Sequence, residues 1–216
     1  MVCIWFAPFF EVLLLKRRVN RTLNNVLCLS YVLFMVVALV VFYASGDVYR
    51  YPIALGGVIC GAVPYLLEKF TRVRLQPRLV IAYFLFLIGS QCLGSFLDFY
   101  SQFPWWDKML HFLSGILLAY VAFALLDRMT DELTRQHLSA QIVFLFVLSF
   151  TAFVGVVWEI YEFSVDQLLH TQAQQGNTDT MLDLIADTLG GLVTAVWVVW
   201  RERQPEGSPV KQKQEA

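Results

Sequence analysis

The chain has 216 residues, of which 58% are apolar and only 15% charged, with a mean hydropathy of +0.60 and a formal net charge of −1. Soluble domains average roughly 25% charged residues, so in water this chain would display large apolar patches, a problem that a lipid solvent removes. There is no basic excess to suggest a nucleic-acid partner, and Cys3, Cys28, Cys60 and Cys92 are too scattered for a zinc spacing or a disulfide framework, so they read as buried small hydrophobes.

The first apolar stretch, CIWFAPFFEVLLL, is too short to span a bilayer and contains Pro8 and Glu11. Its charges follow the apolar run, whereas a signal peptide places them before it. It is predicted to lie on the membrane as a short interfacial helix within a basic segment, residues 1–22. Spanning a bilayer takes about 20 apolar residues as a helix. Six segments qualify: 26–45, 51–68, 79–98, 108–127, 140–161 and 182–200. The second is the shortest, carries Pro52 and Pro64, and places Gly57 and Gly61 four apart, a small-residue face that admits a neighbouring helix. Gly176-Asn177-Thr178 reads as a turn into the last span, and RERQPEGSPVKQKQEA ends the chain in a polar stretch predicted to be disordered over 205–216. No internal repeat is apparent. The expected fold class is all-α: a polytopic membrane helix bundle of about six transmembrane helices, with residues 1–204 as one membrane-embedded domain.

Lysine and arginine set the orientation. Counted along the chain, the segments between spans hold 4, 1, 4, 1, 2, 0 and 4 of them, so one face carries 14 of the 16. Only Arg50 and Lys108 lie on the other. A miscounted span would break this alternation, which predicts both termini on the cytoplasmic side. Trp105, Trp106 and Trp158 fall near outer ends, and Trp197 and Trp200 near an inner end, as an interfacial aromatic belt requires.

The acidic residues need a separate explanation. Nine of 17 belong to the outer half, giving it a formal balance of −7 against +6 inside. Asp107 and His111 are four apart at the start of the fourth span; Glu159, Glu162 and Asp166 follow an i, i+3, i+7 pattern at the end of the fifth; Asp179, Asp183 and Asp187 recur every four residues around the start of the sixth. Residues three or four apart share a helix face. The stripes run on into Ser114, Gly115 and Ala119, and into Gly190, Gly191 and Thr194, so they are predicted to face helix neighbours and not lipid. A carboxylate at the bilayer centre costs roughly 2.5–3.5 kcal/mol, less near the interface. Protons, a bound cation, Lys108 and His111, or water must offset it.

The strings WWDKMLHFLSG, WEIYEFSVDQ and GNTDTMLDLIADTLGG resemble the YjdF-like family of bacterial inner-membrane proteins of unknown function. Asp107, Lys108, His111, Phe112 and Gly115 match its first motif, Trp158, Glu159 and Glu162 its second, and Gly176, Asp179, Thr180, Asp183 and Gly190 its third. The likeness covers roughly residues 79–200, and a more distant one is to VanZ-like membrane proteins. The resemblance implies a multi-pass location in the bacterial cytoplasmic membrane and no particular reaction.

Three functional classes remain open on the residues alone. In the first, Asp107, His111, Glu159, Glu162, Asp183 and Asp187, with Asp166 and Asp179 behind them, hold a divalent cation: Mg²⁺, Mn²⁺ or Ca²⁺ ahead of Zn²⁺ or Fe²⁺. Asp107, His111 and Glu159 are then the catalytic candidates of an enzyme acting on a lipid-linked envelope precursor, a lipid or a periplasmic small molecule. The aspartates four apart imitate membrane phosphatidyltransferases, but the Asp-Gly…Ala-Arg portion of that signature is missing. In the second class the carboxylates mark a cation or proton pathway, although the inner halves of the spans are almost purely apolar. In the third they form a polar network that packs helix ends, with Asp107, Asp179 or Asp183 as helix caps and Asp166 solvated. His137 and His170 read as loop residues in water.

Overall fold

The structure is a computed structural model that describes residues 21–71, 75–169 and 173–202. The predicted interfacial stretch before Arg21, the tail over 205–216, Cys3 and His170 lie outside the described residues. Every regular element among those described is a helix, and six are long and apolar enough to cross a membrane: Arg21–Ala44, Arg50–Phe70, Pro77–Phe96, Trp106–Met129, Ala140–Leu168 and Asn177–Trp200. The chain divides into two compact units, Met1–Pro104 and Trp105–Ala216.

The first unit holds α1 (Arg21–Ala44), α2 (Arg50–Thr71), α3 (Pro77–Leu87), which runs on as a π-helical segment Ile88–Phe96, and the short α4 (Phe99–Gln102). The glycine face of α2 packs as its spacing predicts. A Cβ at Gly57 would lie 2.7 Å from Met35 Sδ, and one at Gly61 2.8 Å from the Tyr31 ring. Cys28, Tyr31 and Met35 of α1 are buried together with Val80, Phe84 and Leu87 of α3. The Tyr31 hydroxyl donates to Gln91 Oε1 at 2.7 Å. The π segment was not foreseen, because hydropathy does not distinguish a π-helix from an α-helix of the same composition. It ends with Leu97 N–H donating to Cys92 C=O at 3.0 Å, and the missing side chain at Gly94 makes room for the Tyr100 ring. Between α1 and α2, Gly46 takes a φ of 72°. Asp47 accepts the Arg50 backbone N–H at 2.9 Å and its guanidinium at 3.0 Å. Chiefly through that backbone bond, the Asp47 carboxyl is held below the usual carboxylate range.

The second unit holds α5 (Trp106–Met129), α6 (Glu132–His137), α7 (Ala140–Leu169) and α8 (Asn177–Glu202). Helices α7 and α8 both outrun their predicted spans. The extra turns are the polar ones that carry Glu162, Asp166, Asp179 and Thr180, so the helices continue past the point where apolar composition stops. Of the predicted turn into α8 only Gly176 lies outside the helix, with a φ of 104° and its carbonyl accepting the Thr180 N–H at 3.1 Å, whereas Asn177 and Thr178 already belong to α8.

Small residues set how α5, α7 and α8 meet. A Cβ at Gly115 would overlap the Asp187 carbonyl oxygen, and one at Gly190 the Phe112 carbonyl oxygen, so α5 and α8 touch backbone to backbone. On the other side of α8, Gly191 lies against Thr151, and Gly155 of α7 lies against the Asp187 carboxylate, where a Cβ would come within 2.9 Å of Oδ2. Away from this crossing the interior is apolar: Ala119, Val143, Val147, Ala195 and Val198 are buried. The two buried threonines there satisfy themselves on their own helices, Thr151 on Val147 C=O at 2.9 Å and Thr194 on Gly190 C=O at 3.0 Å. Trp105, Trp158 and Trp200 are about half exposed, as belt residues should be, but Trp197 is only 7% exposed. It follows Gly190 and Thr194 on the packed face of α8, and that register overrides its position near a membrane surface. Leu29, Leu33 and Val40 of α1 and Leu145, Phe153 and Ile160 of α7 expose apolar surface of the kind lipid covers.

Backbone contact leaves no side chain that can move aside. Gly115→Ala or Gly190→Ala is therefore expected to cost about 1–3 kcal/mol or more, read as a fall in the unfolding midpoint of detergent-solubilised protein. Gly56→Ala, whose Cβ would meet no atom within 4 Å, is the control and should leave the midpoint in place.

Candidate functional site

The Gly115–Gly190 crossing fixes the register of what lies beside it. One turn from Gly115 on α5 is His111, and one turn further Asp107 and Lys108; on α8, Asp187, Asp183 and Asp179 recede from Gly190 at the same helical interval. The two polar stripes therefore face each other. Asp183, Asp187, His111 and Glu159 are all buried, with exposures of 1%, 2%, 8% and 5%.

Lys108 is the hub of the upper layer. Its Nζ lies 2.9 Å from Asp107 Oδ2, 2.8 Å from Asp183 Oδ1 and 3.0 Å from Asp183 Oδ2, and it donates to Asp179 Oδ1. One ammonium thus ties the first turn of α5 to the first two turns of α8. Asp179 also accepts the Gln175 backbone N–H through its other oxygen at 3.3 Å, so it closes the start of α8 and joins the cluster at once. Sequence spacing had placed it behind the other candidates. Asp107 sits in the first turn of α5 with no capping hydrogen bond at Trp105; its carboxylate turns to Lys108 instead.

The lower layer is a histidine held by a carboxylate. His111 Nδ1 lies 3.1 Å from Asp187 Oδ2, and the other Asp187 oxygen accepts the Ser114 hydroxyl. An ionised carboxylate only accepts, so the bond assigns a proton to Nδ1; whenever the ring is neutral, Nε2 is its free nitrogen. Nε2 lies 3.8 Å from Asp107 Oδ1 and 3.8 Å from Asp183 Oδ1. That is too long for a hydrogen bond. Asp107, His111 and Asp183 each offer one ligand atom, all within 4.8 Å of one another.

Helix α7 closes the third side. Glu159, one turn beyond Gly155, is buried with neither carboxylate oxygen hydrogen-bonded. It lies within electrostatic reach of His111, Asp187 and Asp179, with the Thr180 side chain beside it. Glu162 is half-buried, and its Oε1 accepts the Trp158 indole N–H at 3.0 Å. Asp166 stands apart: its two oxygens accept the Ala173 and Gln174 backbone N–H groups at 2.7 and 2.8 Å and shape the approach to α8. The structure thus gathers Asp107, His111, Asp183 and Asp187 tightly, sets Glu159 and Glu162 alongside, adds Lys108, Asp179 and Ser114, and gives Asp166 to a loop. Ser114 was legible only as a small residue below His111; its hydroxyl bond depends on a helix 73 residues away.

A family model described as a predicted membrane protein, DUF2238, matches residues 8–204, a stretch that includes every residue of this cluster. The chain belongs to the DUF2238 family. An uncharacterized protein of Thermotoga maritima is 37% identical to it over 149 residues, which cover 66% of this chain and 72% of that protein. No solved structure matches the chain. Membership of DUF2238 agrees with the membrane-protein character that the three motifs implied, and the YjdF-like and VanZ-like names are not part of the match.

Removing one partner from a buried charge network leaves the others uncompensated, at a cost of about 3–5 kcal/mol. Lys108→Met in this DUF2238 protein should lower stability by that order, measured by denaturant titration in detergent. Combining it with Asp179→Asn and Asp183→Asn should recover part of the loss, because the repelling carboxylates are then gone.

Proposed function

We propose that this protein binds a divalent cation between α5 and α8, and that the loaded site acts at the outer face of a bacterial cytoplasmic membrane on a lipid or lipid-linked envelope precursor. One observation carries the reading: His111 Nε2 faces two carboxylate oxygens at 3.8 Å each while Asp187 holds Nδ1. Donors that share one ion at about 2.0–2.2 Å are themselves roughly 3–4 Å apart. A carboxylate on the far nitrogen is also the usual support for a metal-bound histidine, fixing the tautomer and ring angle. Asp107, His111 and Asp183 are the ligands in this reading, and Asp187 is the positioning residue. One nitrogen with carboxylate oxygens suits Mn²⁺, Zn²⁺ or Fe²⁺, and oxygen-rich completion of the shell suits Mg²⁺. A bound cation would polarise a phosphoryl or carbonyl oxygen, or lower the pKa of a water. The outer placement comes from the lysine and arginine distribution, which puts Asp107 beside Trp105 and Trp106 at headgroup depth.

A second reading has its own observation. Lys108 already bridges Asp107, Asp179 and Asp183, so the cluster can serve as an ion-pair clamp between helices. The two readings differ in what Lys108 does to a cation: in the first it competes for the same oxygens.

Elemental analysis of detergent-purified protein, prepared without chelator and supplemented with Mg²⁺, Mn²⁺, Ca²⁺, Zn²⁺ or Fe²⁺, separates them. The cation reading expects at least one tightly held ion per chain. His111→Ala or Asp183→Asn should release it, and Asp187→Asn should weaken binding by about 10–100-fold. Lys108→Met should tighten it. A wild-type protein that retains no ion from this series sinks the cation reading and leaves the clamp.

A further inference from the structure

Glu159 is a buried carboxylate that nothing described so far accounts for. It is 5% exposed, and neither of its oxygens has a hydrogen-bond partner. An ionised carboxylate in that state is costly. Lys108, the ammonium of the cluster, is already shared among three aspartates. There is no other candidate on these two helices: between Arg135 and Arg201 the sequence contains no lysine or arginine. Among the described residues the other group that can offer positive charge to Glu159 is His111, which Asp187 already holds, so a proton or a cation is the compensation left to it. A proton neutralises the charge but turns one oxygen into a buried O–H donor that itself needs an acceptor. A cation satisfies both oxygens together.

The surroundings carry more negative charge than a single proton would offset. The groups within electrostatic reach of Glu159 are the side chain of Thr180, the carboxylates of Asp179, Asp187 and Glu162, and His111. Thr180 Oγ1 accepts from Gln174 Nε2 at 2.8 Å, which leaves one lone pair and the O–H for the Glu159 side. Glu162, the next residue along the same face of α7, is half-buried and has one oxygen free of the Trp158 bond. Among the described residues the tight ligand group is Asp107, His111 and Asp183, and Glu159 is not part of it.

We propose that Glu159, with Thr180 and Glu162, forms a second cation-binding subsite, separate from the one at His111. All its donors are oxygen, so it takes a hard divalent ion, Ca²⁺ or Mg²⁺. The subsite extends the cation reading but uses different atoms, and the two can fail separately.

The test is ion stoichiometry on the full-length protein in detergent, with Ca²⁺ as the probe, by equilibrium dialysis and elemental analysis. His111→Ala disables the first site and should still hold one Ca²⁺ per chain. Adding Glu159→Gln, which preserves the side-chain shape, should lower that Ca²⁺ affinity at least tenfold, and Thr180→Val should weaken it by less. Where His111→Ala does not yield folded protein, Glu159→Gln alone should remove one Ca²⁺ and leave Mn²⁺ uptake at the His111 site unchanged. Ca²⁺ uptake that is absent, or that survives Glu159→Gln, overturns the subsite. Mn²⁺ uptake indifferent to His111→Ala overturns the first site and not this one.

Discussion

The cluster depends on a contact between two backbones. Gly115 of α5 sits on the Asp187 carbonyl, and Gly190 of α8 on the Phe112 carbonyl. This reciprocal approach brings the helix axes closer than any side chain would allow. The consequence is geometric: residues one and two turns along from each glycine must face one another at short range. On α5 those residues are His111, Asp107 and Lys108; on α8 they are Asp187, Asp183 and Asp179. A larger residue at the crossing would push these facing turns apart. Membrane helices gain little from apolar burial against one another, because lipid is as apolar as leucine. Close backbone packing and a dense polar network are therefore the terms left to hold α5 on α8, and here they occupy adjacent turns.

Charge does not balance within that network. Six carboxylates, Asp107, Asp179, Asp183, Asp187, Glu159 and Glu162, share the region with one lysine and one histidine. In a medium of low dielectric, like charges at such range repel strongly. A purely structural network would be expected to approach neutrality, since half-compensated buried charge costs more than an apolar core. The excess is unevenly spread. Around Lys108 it is mild, and around Glu159 the described residues offer only His111, which Asp187 already holds. The two cation sites proposed above, one with a nitrogen donor and one without, both answer to this imbalance.

Much of this was legible in the sequence. The i, i+4 spacing of Asp107 with His111, and of Asp179, Asp183 and Asp187, put each set on one face, and the glycines below them identified that face as a packing surface. What could not be read was which stripe meets which. Asp187 holds His111 and Ser114 across 76 and 73 residues of sequence, and a helical period carries no information about azimuth relative to a neighbour. Lys108 was visible as one of only two outer positive charges, adjacent to Asp107, yet its reach to Asp179 and Asp183 depends on the glycine crossing. Trp197 shows the opposite failure: its depth near a membrane surface suggested a belt residue, whereas its register with Gly190 and Thr194 decides its burial. The π segment over Ile88–Phe96 left no trace in hydropathy because it preserves the apolar count while changing the angle per residue.

The arrangement of the two layers also bears on why His111 lies where it does. Were the histidine only a packing element, either nitrogen could serve, and a single carboxylate would satisfy it. Here the deeper Asp187 takes Nδ1 and is itself fixed by Ser114 on one oxygen and seated against Gly155 behind the other. That leaves the imidazole little freedom to rotate. Its second nitrogen is held toward two carboxylates at a distance that suits neither a hydrogen bond nor simple avoidance. Rigid support for one side of a ring, with the other side kept open between oxygens, is costly for a core and economical for a ligand. The same reasoning does not extend to Glu162, whose oxygen on the Trp158 indole is half-buried and can be served by water. The proposal of an external ion thus rests on the buried groups, His111 and Glu159, and not on the acidic stripe as a whole.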